Sequence, residues 1–542
     1  MSSEPGSVRL VPERKRCGRC RRPLQARNTA TQTVMTLTGE VSVTEVTLHC
    51  KRHRGQVFHP VNTLVPPHST YAYDVIAEAG RLRFHEHKLI REIEDEFRKR
   101  GLRVPRRTVQ WLCDRFMEFV YAVHLESMSL LAEFLERQGG YVLHLDGSGN
   151  SGRMVILMKD GWSKIRLLVV PVASEAEEHV APLLRLLKDR LGPPVAVVCD
   201  DSKGLWAAVR AVFPGTYIIL CHFHFLRDVG VKLFEPLYPR FRNKLDRLGV
   251  KKRLRKLRRV LRRSKEPDEE ARLALELVEH ILSYAREGKG LAYPLSLPAV
   301  SFYRRCEEAS ARVRKEILAR AKANKQSVFL SSLEDILRLL KPPPIVLGRL
   351  NAEFHALEER WRWFERVRRA LRYRNGPIPL STQVKLSEKD LEKGRRKLDW
   401  VRRKIEEFDE NGGVGYHDRE FRKALRKVGA YIDKHHDSLF APNVEVRAGG
   451  SKMVKRLPRT NAPVEMEFRR LRRHGRRIRG NADVEPQVQR DGAGMLVAEN
   501  LKDPEYVRLV YGSSSRIAKR FAGVPLAAIR QAKSLLGGPP PP

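Results

Sequence analysis

No apolar run in this chain approaches the roughly 20 residues that a membrane-spanning helix requires, which argues against a helical membrane protein. The opening residues, MSSEPGSVRLVPERKRC, contain no apolar signal core, so export is not expected and an intracellular setting is. Cysteine is scarce: seven among 542 residues in a chain expected to stay reduced do not make a disulfide framework. Acidic residues are outnumbered, 64 against 104 Lys and Arg, leaving a formal charge of +40 and a pI near 10.3. Such an imbalance calls for a polyanionic partner, and without a membrane segment that partner is expected to be nucleic acid. There is no internal repeat. Hydrophobic residues make up 42% of the chain, which excludes global disorder, and the length predicts two to four domains with ample core.

What is present begins after a short segment, 1–14, that reads as a flexible N-terminus. Cys17-Gly-Arg-Cys20 and Cys50-Lys-Arg-His53 flank TATQTVMTLTGEVSVTEVTLHC, which alternates around a Thr-Gly-Glu turn and reads as a β-hairpin. Two short ligand pairs on either side of a hairpin are the layout of a zinc ribbon, here over 15–60, with Cys17, Cys20, Cys50 and His53 closing a tetrahedral Zn²⁺ site. No thioredoxin-like pattern surrounds CGRC, so a redox role is disfavoured. Over 70–138 the pattern is helical. Ile90, Ile93 and Phe97 line one face, Gly101 interrupts, and Pro105 opens a second helix with Val109, Leu112, Cys113 and Phe116 inside. This is the order of a helix-turn-helix. Arg106, Arg107, Thr108, Gln110 and Arg115 are side-chain types that contact phosphates or base edges of DNA.

The period changes over 139–228. YVLHLD, MVILM and KIRLLVVPV read as strands, the last two joined at KDGW. A helix with Val180, Leu183, Leu184 and Leu187 on one side follows, then VAVVC, a helix near 203–212, and YIILC. Three strands, helix, strand, helix, strand is the order of a ribonuclease H-like α/β domain. Asp146 ends the first strand and Asp200 lies just past the fourth, with Asp201 beside it as a competitor. Residues 229–455 read as an all-helical segment, with turns or loops at 341–345, 374–382 and 442–458. Between Arg240 and Lys265 there are 14 basic residues against Asp246 alone, yet Val250, Leu254, Leu257 and Leu261 share one face, so this is a folded helix with a basic exterior. Over 456–510, TNAPVEMEFRRLRR places Glu465, with Glu467 competing, at the start of a basic helix. In it Phe468, Leu471 and Ile478 can face a core, while Arg469, Arg470, Arg472, Arg473, Arg476, Arg477 and Arg479 form a phosphate rail. Residues 511–542 read as a C-terminal tail whose last residues, GGPPPP, are disordered.

Two carboxylates at strand ends and one on a helix can hold a pair of divalent ions over a phosphodiester. Magnesium (or manganese) takes hard oxygen ligands and keeps some waters, so Asp146, Asp200 and Glu465 suffice, Asp146 bridging both ions. The sequence CDDSKGLWAAVRAVFPGTYIILCHFHFLRDVG resembles the second-aspartate block of Mutator-like DDE transposases and related bacterial insertion-sequence transposases: an Asp, Gly-Leu four residues on, Phe-Pro, then Cys-x-x-His after the next strand. Counting back from Gly204 selects Asp200 over Asp201, and Cys221 and His224 match the Cys-x-x-His. LHLDGSG is similar to the first-aspartate strand. RTNAPVEMEFRRLRRHGRRIRGN resembles the third block, with Thr460 and Asn461 on its Thr-Asn and Glu465 on its Glu. The separation from Asp200 to Glu465, 465 − 200 = 265 residues, is long. The resemblance accommodates it by an all-helical insertion between the fifth strand and the last catalytic helix. One departure is Asp201, where the family often has Gly. Cys221 and His224 are either two metal ligands or a structural pair; His222, between them, is expected to face solvent. Cys113, Cys199 and Cys306 read as ordinary buried thiols.

The expected fold is therefore a multidomain α+β protein: a zinc ribbon and helix-turn-helix, then a ribonuclease H-like core interrupted by a helical insertion. What the resemblance implies is a DNA-associated transposase, in the cytoplasm or nucleoid if prokaryotic, that binds transposon ends and target and cleaves and transfers DNA strands. It would act as a homodimer or higher oligomer in synapsis. The rival expectations are a transposase-derived DNA-binding protein without catalysis and a ribonuclease H-like nuclease.

Overall fold

The computed structural model describes residues 6–150, 153–263, 267–286, 292–340, 344–372, 386–410, 416–479 and 485–537. The chain is mixed α/β and mostly helical, and it divides into two compact units. The first comprises Met1–Thr216, Glu445–Val454 and Val464–Pro542; the second comprises Tyr217–Val444 and Lys455–Pro463. Among the described residues no helix is long and apolar enough to cross a membrane.

The first unit opens with β1 (Gly6–Leu10), β2 (Gln25–Thr36), β3 (Gly39–His49) and β4 (Val57–Phe58). β2 and β3 form the expected antiparallel hairpin, Thr36 opposite Gly39, which takes the φ of +122° that the turn requires. β1 was expected to be flexible. Instead Gly6–Leu10 pairs in parallel with Val41–Glu45, because β3 would otherwise offer an unpaired edge. Val34, Val43, Val65 and Ala72 form the small core beneath this sheet. Helices α1 (Tyr73–Gly80), α2 (Ile90–Lys99), α3 (Arg106–Glu126) and α4 (Met128–Arg137) follow. Gly101, at φ +79°, makes the break between α2 and α3. Ile93 and Phe97 are fully buried, as the periodicity required, and Ile90 is half-buried.

The central sheet of this unit contains β5 (Val142–Asn150), β6 (Arg153–Asp160), β7 (Arg166–Val172) and, after α5 (Glu177–Leu191), β8 (Ala196–Cys199), with α6 (Lys203–Val212) next. Within the unit the strands lie in the order β7-β6-β5-β8, with β5 antiparallel to β6 and parallel to β8. The buried Asp160 side chain builds the β6–β7 turn by accepting the N–H groups of Trp162 and Ser163 at 3.2 and 2.7 Å, and that of Val142 at 3.0 Å. The second half of α3 is buried along its length and packs toward β7. Tyr121 donates its hydroxyl to the Val169 carbonyl at 2.7 Å, and His124 bridges the Leu167 carbonyl and the Tyr506 hydroxyl at 2.8 and 2.9 Å.

The second unit runs from β9 (Tyr217–Leu220) through nine helices among the described residues. They are α7 (His222–Phe234), α8 (Leu237–Arg247), α9 (Val250–Leu261), α10 (Glu269–Leu282), α11 (Pro298–Lys322), α12 (Val328–Arg338), α13 (Pro344–Ala370), α14 (Glu388–Glu410) and α15 (Tyr416–Leu439). On α9 the buried residues are Val250, Leu254, Leu257 and Leu261, the four expected. Residues 442–458, expected to be a loop, instead contain a hairpin of β10 (Val444–Ala448) and β11 (Ser451–Lys455), of which Glu445–Val454 belong to the first unit. Gly449 and Gly450 supply the positive φ values at its turn. Residues 341–343, the loop at 374–382 and the final Gly-Pro residues after Gly537 fall outside the described residues, as do the side chains of Ile478 and Arg479.

The chain returns to the first unit on α16 (Ala462–Arg479), followed by α17 (Glu485–Ala498), α18 (Pro504–Tyr511), α19 (Ile517–Ala522) and α20 (Leu526–Gly537). The segment after 510 is thus no tail: α20 packs on α3, burying Ala528, Ile529 and Ala532. Between α17 and α18, the Asn500 amide exchanges hydrogen bonds of 2.9 and 3.0 Å with the Arg166 backbone, which caps the β7 edge of the sheet.

Candidate active site

Register brings the two aspartates together. β5 and β8 pair in parallel as Val142↔Ala196, Leu143↔Val197 and His144↔Val198. Asp146 lies four residues beyond Val142 and Asp200 four beyond Ala196, so both reach the same level on neighbouring strands whose backbones run roughly 5 Å apart. Asp200 lies just past the end of β8, but Asp146, expected to end its strand, is in the middle of β5, which continues to Asn150 because β6 keeps pairing with it. Asp146 is buried and accepts the Gly147 N–H at 3.0 Å. The Trp206 indole donates to the Asp200 carbonyl at 2.7 Å and pins the backbone as it leaves β8.

Glu465 arrives in the first turn of α16, where the helix dipole favours an anion. Burial pushes the Asp146 carboxyl well above the usual carboxylate range, and the negative fields of Asp200, Glu465 and Glu175 push it further. Three acids distant in sequence are thus near enough for their charges to act on Asp146, although no three of these four carboxylates bring their oxygens all within 4.8 Å of one another. Glu175 is one the sequence reading did not select. It sits just ahead of α5 among Glu177 and Glu178, and nothing local distinguishes it from them. The signal lay in two glycines. A Cβ on Gly147 would stand 2.4 Å from Glu175 Oε1, and a Cβ on Gly204 would stand 2.1 Å from the Glu175 carbonyl oxygen. Gly204 is glycine because the Glu175 backbone passes against the start of α6, and that contact fixes the strand-to-helix turn that carries Glu175.

Glu467, two residues from Glu465, points elsewhere. Its Oε1 takes Lys159 Nζ at 2.6 Å and Arg166 Nη2 at 2.5 Å, and all three side chains are almost wholly buried. Burial pushes the Glu467 carboxyl up, but Arg166 and Lys159 outweigh it and hold the group below its usual range. Glu467 is a structural anion, and Glu465 is the carboxylate beside Asp146. Along α16, Arg472 donates to Ser148 Oγ at 2.6 Å, tying the helix to β5 two residues beyond Asp146, while Arg469, Arg473 and Arg476 are exposed.

In the second unit, Cys221 and His222 bond to segments far along the chain. Cys221 Sγ accepts the Asn461 N–H at 3.1 Å, and the His222 N–H reaches the Arg459 carbonyl at 2.8 Å. These bonds hold the Arg459-Thr460-Asn461 segment that leads into α16, and all three of its residues are buried. His222 is not solvent-facing: it is fully buried with Nε2 against the Leu439 carbonyl at 2.9 Å. Burial lowers both His222 and His224 to about 4, so both are neutral imidazoles at physiological pH.

No protein-family model matches the chain, and no curated protein matches it.

At the N-terminal end, Cys17, Cys20, Cys50 and His53 bring one ligand atom each to within 4.8 Å of all the others. Among the described residues this is the one group of three or more such side chains that closes so tightly. The Cys20–Cys50 sulfurs are 3.6 Å apart, and His53 Nδ1 is 3.6 Å from Cys17 and 3.7 Å from Cys50. A tetrahedral zinc with three thiolates and an imidazole needs edges of ~3.5–3.8 Å, so the set fits that ion. The Cys20 backbone N–H stabilises the Cys17 thiolate and lowers this thiol to about 6, which readies it as a ligand.

The residues expected to read DNA on α3 differ in availability. Arg106 and Arg107 are exposed; Arg106 also reaches Glu94 of α2 at 2.6 Å. Thr108 and Gln110 are half-buried, and Gln110 donates to Asp114 at 2.8 Å. Arg115 is engaged instead with Glu118 at 2.5 Å and lies 4.9 Å over the Phe119 ring, so its guanidinium belongs to the packing of α3.

Proposed function

We propose that this protein is a DNA transposase of the DDE type, with Asp146, Asp200 and Glu465 as its catalytic carboxylates. The observation that carries the reading is the convergence of Asp200 and Glu465 on a buried Asp146 in a chain of net charge +40. A buried carboxylate whose ionisation is opposed by neighbouring carboxylates is stabilised by cations. These three carboxylates, with Glu175 beside them, would hold magnesium or manganese, which when bound activates water or a 3′-hydroxyl and neutralises the leaving oxygen.

The order of strands and helices around Asp146 and Asp200 supports a ribonuclease H-like core, and the helices between β9 and α15 support the reading of an insertion. Arg469, Arg473 and Arg476 extend from the Glu465 turn and would hold phosphates without reading sequence. The zinc-type site and the α2–α3 pair would engage the element's ends, and synapsis of two ends would require a dimer or larger assembly. The test is an excision assay in cells on a donor carrying the gene's own flanks. Excision is expected with the wild-type protein and not with Asp146→Asn. Absence of excision by either, with specific binding of the flanks retained, would replace this reading with a DNA-binding protein that lacks catalysis.

A further inference from the structure

Helix α16 carries two polar stripes. Glu465, Arg469, Arg472 and Arg476, spaced four, three and four residues apart, form the stripe beside Asp146. Glu467, Arg470, His474 and Arg477, spaced three, four and three, form another, turned well over a quarter-circle away. The second stripe lines a cavity of about 520 Å³ with the end of α17, the turn after it and the segment that follows α1. This volume is within the ~300–1,000 Å³ of small-ligand sites.

Its walls are of three kinds. Phe84, Leu471, Met495 and Leu496 form an apolar floor. Arg473 and Arg477 supply cations, with Arg470 4.0 Å from Glu467 and Lys502 paired to Glu499. Of the two acids present, Glu467 is neutralised by Lys159 and Arg166, and Glu499 by Lys502 at 2.6 Å. Arg473 and Arg477 are exposed and have no acidic partner among the described residues. Two imidazoles complete the lining. His87 and His474 lie with ring centres 4.5 Å apart, and His87 Nδ1 and His474 Nε2 are buried without a hydrogen-bond partner among the described residues. His474 is nine-tenths buried. Burial, then His87 and nearby cations, lower it to about 3, so it is a neutral donor–acceptor group. His87 is held at φ +60°, a conformation costly for a non-glycine residue and one that collects at ligand sites.

An apolar floor including one aromatic ring, neutral ring nitrogens without partners among the described residues and a rim of exposed guanidinium groups suit a planar base attached to a phosphate. We propose that this cavity is a nucleotide-binding site that takes one unpaired nucleotide, with the base on the Phe84–Met495 floor, its edge at His87 and His474, and its phosphate at Arg473 and Arg477. The site uses none of Asp146, Asp200 and Glu465 and shares only Arg473 with the phosphate contacts proposed above; its test rests on Arg477, so it stands or falls apart from the transposase reading.

The probe is a single-stranded oligodeoxynucleotide containing 5-iodouracil, photo-cross-linked to the full chain, with the attached peptides identified by mass spectrometry. Cross-links are expected in the peptides around Phe84–His87 and Met495–Lys502. Arg477→Glu, an exposed substitution, is expected to lower their yield by about tenfold, the scale of one lost charge-assisted bond. Asp146→Asn is expected to leave them unchanged. Competition by thymidine monophosphate, but by neither thymidine nor inorganic phosphate, would show that a free nucleotide suffices. No competition by the monophosphate, with cross-links retained, would show that the nucleotide must be part of a strand. Cross-links only in other peptides, an unchanged yield in Arg477→Glu, or equal competition by inorganic phosphate would overturn the proposal.

Discussion

Glu467→Gln and Glu465→Gln, changes of one atom two residues apart, are expected to act on different properties. Glu467 is 2% exposed at its side chain and faces Lys159 and Arg166, themselves 6% and 10% exposed. Neutralising it leaves two cations buried without their counter-ion. Breaking such a pair costs about 3–5 kcal/mol, and since Gln keeps the shape and an acceptor oxygen the lower end applies. With ~2–4 °C lost per kcal/mol in a domain of this size class, the unfolding midpoint of the first unit should fall by about 6–12 °C. The pH dependence has a definite sign. Glu467 is depressed below its ordinary value, so its stabilisation is present above the unfolded carboxyl pKa of ~4.3 and disappears as pH falls through the lower folded value. Lys159 is already lowered to about 8, by burial and then by Arg166, and should lose its proton more readily once Glu467 is neutral. Glu465→Gln removes a negative charge that opposes ionisation of Asp146, so its midpoint should be unchanged or higher while DNA cleavage is lost. Thermal unfolding by circular dichroism between pH 4 and 9, beside a magnesium-dependent cleavage assay, measures both. A Glu467→Gln protein that melts with the wild type but does not cleave, beside a Glu465→Gln protein that does, would refute the assignment.

Three further expectations rest on other contacts. Asp146→Asn should raise the midpoint of metal-free protein at pH 7: a carboxyl raised by burial destabilises the fold above its folded pKa and not below the unfolded one. Added magnesium should then stabilise the wild type but not the variant, and equal shifts in both would place the ions elsewhere. Cys50→Ser should abolish binding of one equivalent of zinc, measured by mass spectrometry of native protein, and acidification should release zinc from the wild type as protons compete for the thiolates; retention by Cys50→Ser would dissolve the four-ligand site. Gly204→Ala must push the Glu175 carbonyl from 2.1 Å, costing about 1–3 kcal/mol and displacing Glu175 and Asp200, so cleavage should suffer more than DNA binding, as gel shift and cleavage assays on one preparation would show.

Much of this was legible in the sequence, because periodicity and ligand spacing are local. The strands and helices between Val142 and Leu220 follow the alternating and helical patterns read there, and α9 buries Val250, Leu254, Leu257 and Leu261 as its spacing required. The CxxC and CxxH pairs named the zinc-type ligands, since a hairpin returns its two ends to one place. What packing alone decided involves partners far away in the chain. Glu465 and Glu467 look equivalent in sequence, and Lys159 and Arg166, some 300 positions earlier, separate their roles. Glu175 became a neighbour of Asp146 only where two glycines let its turn approach. His222 was turned inward by the Leu439 carbonyl, Gly6–Leu10 became a strand because β3 had an open edge, and the last helices folded because α3 had an uncovered face. Local pattern determines which residues want burial or a strand. Which carboxylate meets which cation is set by long-range contacts that no window of sequence contains.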